Sequence, residues 1–280
     1  MNTPTAAVAA LLLAAATQPT LAHAQDPDSV RVAADTTLLA PADTLVLGVT
    51  TLDSLGADAP RVPALPPEAL IHLGHIVDSF ADTPMGMSLM KTAMIEGEIA
   101  AAWARVAGVD ALSLGRMQRA MTNVLHAIDP AQVGTGAGMG YGFKRAAEGV
   151  GLHAEFAITA ADSLAPGLAF HGPYMTRAAL RARMRADDAV ALARQVQGAR
   201  DVDTALRLVD RLAETIRAMV YGEDRDEDGR IGHTEDEVGL AQAAYHLSLV
   251  YRVNGLEMPS VRPDDVVDSL GLNDLGRQPD

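Results

Sequence analysis

Apolar residues recur at helical spacing through residues 68–255, and no stretch of that segment alternates convincingly as a half-buried strand would. The pattern predicts seven helices joined by short connections. Their starts fall near Pro66, Pro84, Asp110, Tyr141, Pro173, Val202 and Glu235. The many alanines favour close helix packing, so we predict an all-α fold: a multi-helix antiparallel bundle of about seven helices, of which the last two form a helix-loop-helix.

The first twenty-four residues form a separate segment with no charged side chain. Residues 1–24 are rich in Ala, Leu and Val and end in Ala22-His23-Ala24, which has the small residues that a signal peptidase requires. We predict a signal peptide cleaved after Ala24 and a periplasmic or secreted protein. An uncleaved anchor is the alternative, but the apolar core Ala6–Ala16 is short for a membrane span, so we expect no membrane insertion after cleavage.

Two further segments flank the helical part. Residues 25–67 are rich in Pro, Asp and Thr, a composition typical of disordered linkers. Residues 68–255 have the length of one ordinary domain. Residues 256–280 form an acidic tail that contains three prolines and five aspartates, and we expect this tail to be loosely attached.

Composition narrows the possible partners. The chain has 36 Asp and Glu against 22 Lys and Arg, which gives a formal charge of −14. This charge argues against nucleic acid and anionic membranes as partners and suits cations. The chain has no cysteine, so disulfides and a lipid-modified cysteine are excluded.

The most informative segment is 224–235, between the last two predicted helices. Acidic side chains occupy its first, third and fifth positions, Gly229 its sixth, and a glutamate its twelfth. The segment resembles the calcium-binding loop of the EF-hand family. This resemblance implies Ca²⁺ as the bound ion, with water at the ninth position and Ile231 packing under the loop. The implied ligands are Asp224, Asp226, Asp228, the carbonyl of Arg230 and a bidentate Glu235.

The resemblance covers residues 202–253 and departs from the family at two points. Asp236, followed by Glu237, stands where the family usually has an apolar residue, which indicates another register for the following helix. The sequence therefore leaves open whether Glu235 or Glu237 closes the site. EF-hands usually occur in pairs, and we find no second loop in this chain, so self-association through the unpaired EF-hand is a further hypothesis.

Histidines give a possible second metal site. Two of them are one helical turn apart, and two more lie on two further predicted helices. Another predicted helix carries glutamates 96 and 98 and a stripe of methionines. If these faces meet, the bundle would bind a transition metal or heme. The plainer alternative is that histidine at a helix end is favoured by the helix dipole and that methionine fills the core. The candidate ligands are His72, His75, His126 and His153.

Five glycines alternate over residues 134–142, and Lys144 and Arg145 follow them. Backbone N–H groups near a helix start, together with two cations, could bind an anion. The spacing matches neither a dinucleotide fingerprint nor a P-loop. We favour the interpretation that these glycines form a connector and allow close contact between helices.

These observations favour a non-catalytic, exported protein with structural calcium. We find no nucleophile paired with a base, so the sequence does not indicate an enzyme. Extracellular calcium sites commonly have Kd values of roughly 10⁻⁴–10⁻³ M. Such a site would stay largely filled and stabilise the fold. The alternatives are a bundle that binds a transition metal or heme and a calcium-dependent protein-interaction module.

Overall fold

The fold is all-helical, as the apolar spacing predicts. The computed structural model describes residues 65–109, 113–161, 165–232 and 234–263. Within them there are seven α-helices, two short 3₁₀ turns and no strand beyond an isolated bridge between Ser79 and Met87. The helices are α1 Pro67–Val77, α2 Leu89–Val109, α3 Leu114–Ile128, α4 Phe143–Ala161, α5 Pro166–Gly198, α6 Val202–Tyr221 and α7 Leu240–Val253.

Helix α5 is the centre of the bundle. It is 33 residues long and contacts α3, α4, α6 and α7, while α2 contacts α3, α4 and α6 on the other side. Short connections join α2 to α3, α4 to α5 and α5 to α6, so these consecutive neighbours pack antiparallel. The buried face of α5 consists mainly of alanine. Small side chains allow its four neighbours to approach closely.

Three predicted helix starts were wrong. Helix α5 begins at Pro166 and continues through Pro173, because one lost backbone hydrogen bond is tolerated where a helix packs on several sides. Helix α2 begins at Leu89, after a 3₁₀ turn over Pro84–Gly86. Helix α7 begins at Leu240, so the segment from Thr234 to Gly239 belongs to the loop.

Several predictions concern parts of the chain that lie outside the described residues. These are the signal peptide, the linker up to residue 64 and the tail after residue 263. At the edges of the described part, Leu65 is buried in the core, and Met258 and Val261 pack against it. None of the described helices has the length and apolarity needed to cross a membrane.

Candidate functional site

The loop between α6 and α7 is closed at its base by backbone contacts. Helix α6 ends at Gly222, which has φ +83° and whose added Cβ would lie 2.5 Å from the carbonyl oxygen of Glu237. The N–H of Glu223 donates to that same carbonyl at 2.8 Å. Only glycine combines this φ with so close an approach. This pairing of residues 223 and 237 brings Glu237 close to Asp224, the residue that follows Glu223.

Three carboxylates meet inside this loop. Asp224, Asp226 and Glu237 each offer one oxygen, and the three oxygens lie within 4.8 Å of one another. Calcium binds oxygen at roughly 2.3–2.6 Å, so ligands of one ion are at most about 5 Å apart. One calcium ion fits the separation of this carboxylate group.

Glu237 is the most enclosed member of the group, with 0% of its surface exposed. Its Oε2 accepts from the backbone N–H groups of Gly232 and Thr234, both at 3.2 Å. Its Oε1 accepts from the N–H of Arg225 at 3.4 Å. These contacts hold the carboxylate in one orientation inside the loop.

Only one of the two carboxylate oxygens of Asp224 has a hydrogen-bond partner. Its Oδ2 accepts from the N–H of Gly229 at 3.0 Å, whereas its Oδ1 is buried and has no hydrogen-bond partner. Leaving a buried carboxylate oxygen without a partner is costly, and a cation would satisfy it. This oxygen is the observation that most specifically suits a bound ion. Asp228 lies outside the three-carboxylate group and is exposed, with its Oδ1 accepting from the N–H of Arg230 at 2.8 Å.

Arginines of α5 hold the outer side of the loop. Glu235 pairs with Arg177, and Asp236 pairs with Arg181 at 2.5 Å. One helical turn further along α5, the buried Arg185 donates to backbone carbonyls on both sides of the loop. These acceptors are the carbonyls of Ala218, Asp236 and Val238.

Of the two glutamates that the sequence left open, the structure brings Glu237 and not Glu235 to the carboxylate group. The side chain of Glu235 is 72% exposed and contacts Arg177, and it is not part of the carboxylate group. Glu237, two residues beyond the twelfth position, lies in the carboxylate group instead. Ile231 also differs from the prediction: it lies near Gly222 but remains 40% exposed.

A second cluster joins α1 to α4. His72, His75 and His153 each offer one ring nitrogen to a group whose atoms lie within 4.8 Å. The Nδ1 atom of His153 is 3.1 Å from Nδ1 of His72 and 3.4 Å from Nδ1 of His75. The rings of Phe80 and Phe156 flank the cluster, with ring centroids 5.1–5.8 Å from those of the histidines.

Two of the three imidazoles, those of His75 and His153, favour the neutral form because their pKa values are lowered. Burial, and then the neighbouring His75 and His72, lower the pKa of His153 to about 4. Burial and His72 also lower the pKa of His75. A positive charge on either ring would be poorly solvated and repelled by a neighbouring charge, so His75 and His153 keep a lone pair for a ligand.

His126 does not join this cluster, although the sequence grouped it with the other three. It is buried in α3, and a Cβ added at Gly136 would contact its side chain. Spacing alone could not show that α3 turns this histidine towards the glycine-rich loop. The methionine stripe is core filling, because Met90 and Met94 are buried among apolar side chains.

The glycine-rich loop before α4 surrounds a carboxyl group of the protein itself, that of Glu96. The carboxylate of this fully buried residue of α2 accepts from three backbone N–H groups. The donors are Met139 at 3.1 Å, Tyr141 at 3.3 Å and Gly142 at 3.0 Å. The sequence makes anion binding the less favoured interpretation of these glycines, and nothing local to them could identify a residue over forty positions away.

Glu96 should make folding stability decrease as pH rises. Burial raises its pKa from 4.5 to about 7, although the three amide donors lower it. Because the folded-state pKa is the higher one, the stabilisation is complete below about pH 4.5 and is lost as pH rises through about 7. From pH 5 to pH 8, we expect the unfolding free energy of the wild type to fall by roughly 2 kcal/mol relative to Glu96→Gln.

Urea unfolding of both proteins at several pH values measures this difference. Every other titrating group contributes equally to both proteins. The difference between their unfolding free energies therefore reports the titration of Glu96 alone. A difference that does not change with pH would contradict the raised pKa.

Comparison with known proteins identifies no family for this chain. No protein-family model matches it, and searches of curated proteins and of solved structures returned no similar protein. Function is therefore inferred from the residues and their geometry alone.

Proposed function

We propose that this chain is an exported calcium-binding helical protein in which calcium has a structural role. In this proposal the ion lies in loop 224–237 and is bound by Asp224, Asp226 and Glu237, as in an EF-hand loop extended by two residues. The buried Oδ1 of Asp224, which has no hydrogen-bond partner within the carboxylate group, is the observation that carries the proposal.

The charges in the loop support a cation. Three carboxylates within 4.8 Å repel one another, and a divalent ion would offset that repulsion and bind the buried Oδ1 of Asp224. The arginines of α5 do not perform this task, since Arg177 and Arg181 pair with Glu235 and Asp236 on the outer side. A cation inside the loop would supply the charge that these two arginines do not bring to Asp224, Asp226 and Glu237.

The surroundings of the loop favour a structural role over that of a switch. Arg185 binds backbone carbonyls before and after the loop, and the Glu223–Glu237 backbone hydrogen bond closes its base. Both ends of the loop are thereby held in place. An ion that binds only the folded form stabilises it by RT ln(1 + [L]/Kd). The calcium concentration outside cells would keep such a site largely filled.

Thermal unfolding followed by circular dichroism tests the proposal. With calcium at about ten times Kd, we expect about 1.4 kcal/mol of stabilisation, hence a Tm roughly 3–6 °C above that in excess chelator. Asp224→Ala should remove this difference, and Asp210→Ala, which changes an exposed acid of α6, should retain it. An equal Tm in calcium and chelator, together with calorimetry that detects no binding, would contradict the proposal.

A further inference from the structure

We propose that His72, His75 and His153 form a second metal centre, specific for a divalent transition metal such as zinc or copper. This centre lies between α1 and α4 and shares no residue with the calcium loop. Three imidazoles leave a fourth tetrahedral position for water or a small ligand.

The spacing of the nitrogens suits one tetrahedral ion. Zinc binds imidazole nitrogen at roughly 2.0–2.1 Å, which places two ligands of a tetrahedral site about 3.3–3.4 Å apart. The observed separations from Nδ1 of His153 are 3.1 Å to His72 and 3.4 Å to His75. Two of the three separations already match a tetrahedral site, and the third, between His72 and His75, lies within the 4.8 Å limit of the group.

Hydrogen bonding among the rings cannot account for the cluster as well as a metal does. A ring nitrogen carries either one hydrogen or one lone pair, so Nδ1 of His153 can make one good hydrogen bond. Two other Nδ1 atoms nevertheless lie within 3.4 Å of it. A metal ion accepts all three lone pairs together.

The chemistry of the group separates this centre from the calcium loop. It contains three imidazoles and no carboxylate, whereas calcium prefers oxygen ligands. Imidazole suits zinc, copper, nickel and iron, and among divalent ions copper and zinc bind such sites tightly. Each site should therefore select its own metal.

The centre would also fasten the first described helix to the bundle. His72 and His75 are one turn apart on α1, where residues i and i+3 share a face, and His153 lies on the packed neighbour α4. The rings of Phe80 and Phe156 limit the space around the histidines. A bound ion would join the two helices through three coordinate bonds.

Titration of the full chain, without a polyhistidine tag and in saturating calcium, tests this proposal. Calorimetry with Zn²⁺ and visible absorption with Co²⁺ should show one equivalent bound, with the strong bands of tetrahedral cobalt. His153→Gln and the double variant His72→Gln/His75→Gln should each weaken binding at least about a hundredfold, because each removes an essential ligand.

The pair His171 and His246, with Nδ1 atoms 3.2 Å apart on α5 and α7, offers a matched control. The double variant His171→Gln/His246→Gln should retain the bound equivalent. Binding that survives in His153→Gln, or that is lost only in the control, would overturn the proposal. Excess calcium keeps the loop filled, so failure here is distinguishable from failure of the calcium site.

Imidazole signals in the NMR spectrum of the wild type provide a measurement that needs no variant. One equivalent of zinc should shift the ring signals of three of the eight histidines. A spectrum in which no imidazole signal moves would also overturn the proposal.

Discussion

Glu237→Gln should weaken calcium binding roughly a hundredfold, equivalent to about 2.7 kcal/mol, whereas Glu235→Gln should change it less than about threefold. The amide keeps the shape of the side chain but removes the charge that faces the divalent ion and replaces one carboxylate oxygen by an NH₂ group, which cannot bind a cation. Glu237 is fully buried within the carboxylate group, and Glu235 is exposed and paired with Arg177.

Isothermal calorimetry on both variants measures this difference. The pair is well matched, because both changes replace one glutamate of the same loop by the same amide. Far-UV circular dichroism in calcium should show the wild-type helix content in both. The reverse order of affinities would place Glu235 on the ion and return the site to the twelve-residue spacing.

Glu96→Ala should lower the unfolding free energy by about 3–5 kcal/mol, the largest loss of stability that we expect from a single change in this protein. The change removes the acceptor of three backbone N–H groups, of Met139, Tyr141 and Gly142, in a place with little room for water. A Cβ added at Gly138 would already lie 2.8 Å from Oε2 of Glu96, which shows how closely the loop surrounds the carboxylate.

Glu98→Ala is the control for this experiment. Glu98 lies two residues further along α2 and accepts a hydrogen bond from the hydroxyl of the exposed Tyr221. We expect a loss of at most about 1 kcal/mol there, since water can replace an exposed partner. Urea unfolding at pH 7 measures both losses. Similar losses for the two variants would mean that the glycine-rich loop does not depend on Glu96.

Local patterns in the sequence were sufficient for most of the helices and for part of each candidate site. Apolar residues at 3.6-residue spacing place α3, α4 and α6 close to their observed positions, because a buried stripe follows directly from helix geometry. His72 and His75 come together for the same local reason. Asp224 and Asp226 are two residues apart in one loop, so their proximity also needs no distant contact.

Tertiary structure decided which distant residues complete each group. Glu237 is chosen over Glu235 by the backbone pairing of residues 223 and 237, with Arg177 of α5 holding Glu235 on the outside. His153 joins the histidine cluster because α1 packs on α4. Sequence spacing encodes the neighbours of a residue along one helix or loop. Which helices and loops face each other depends on how the whole core packs, and no single segment of the sequence determines that packing.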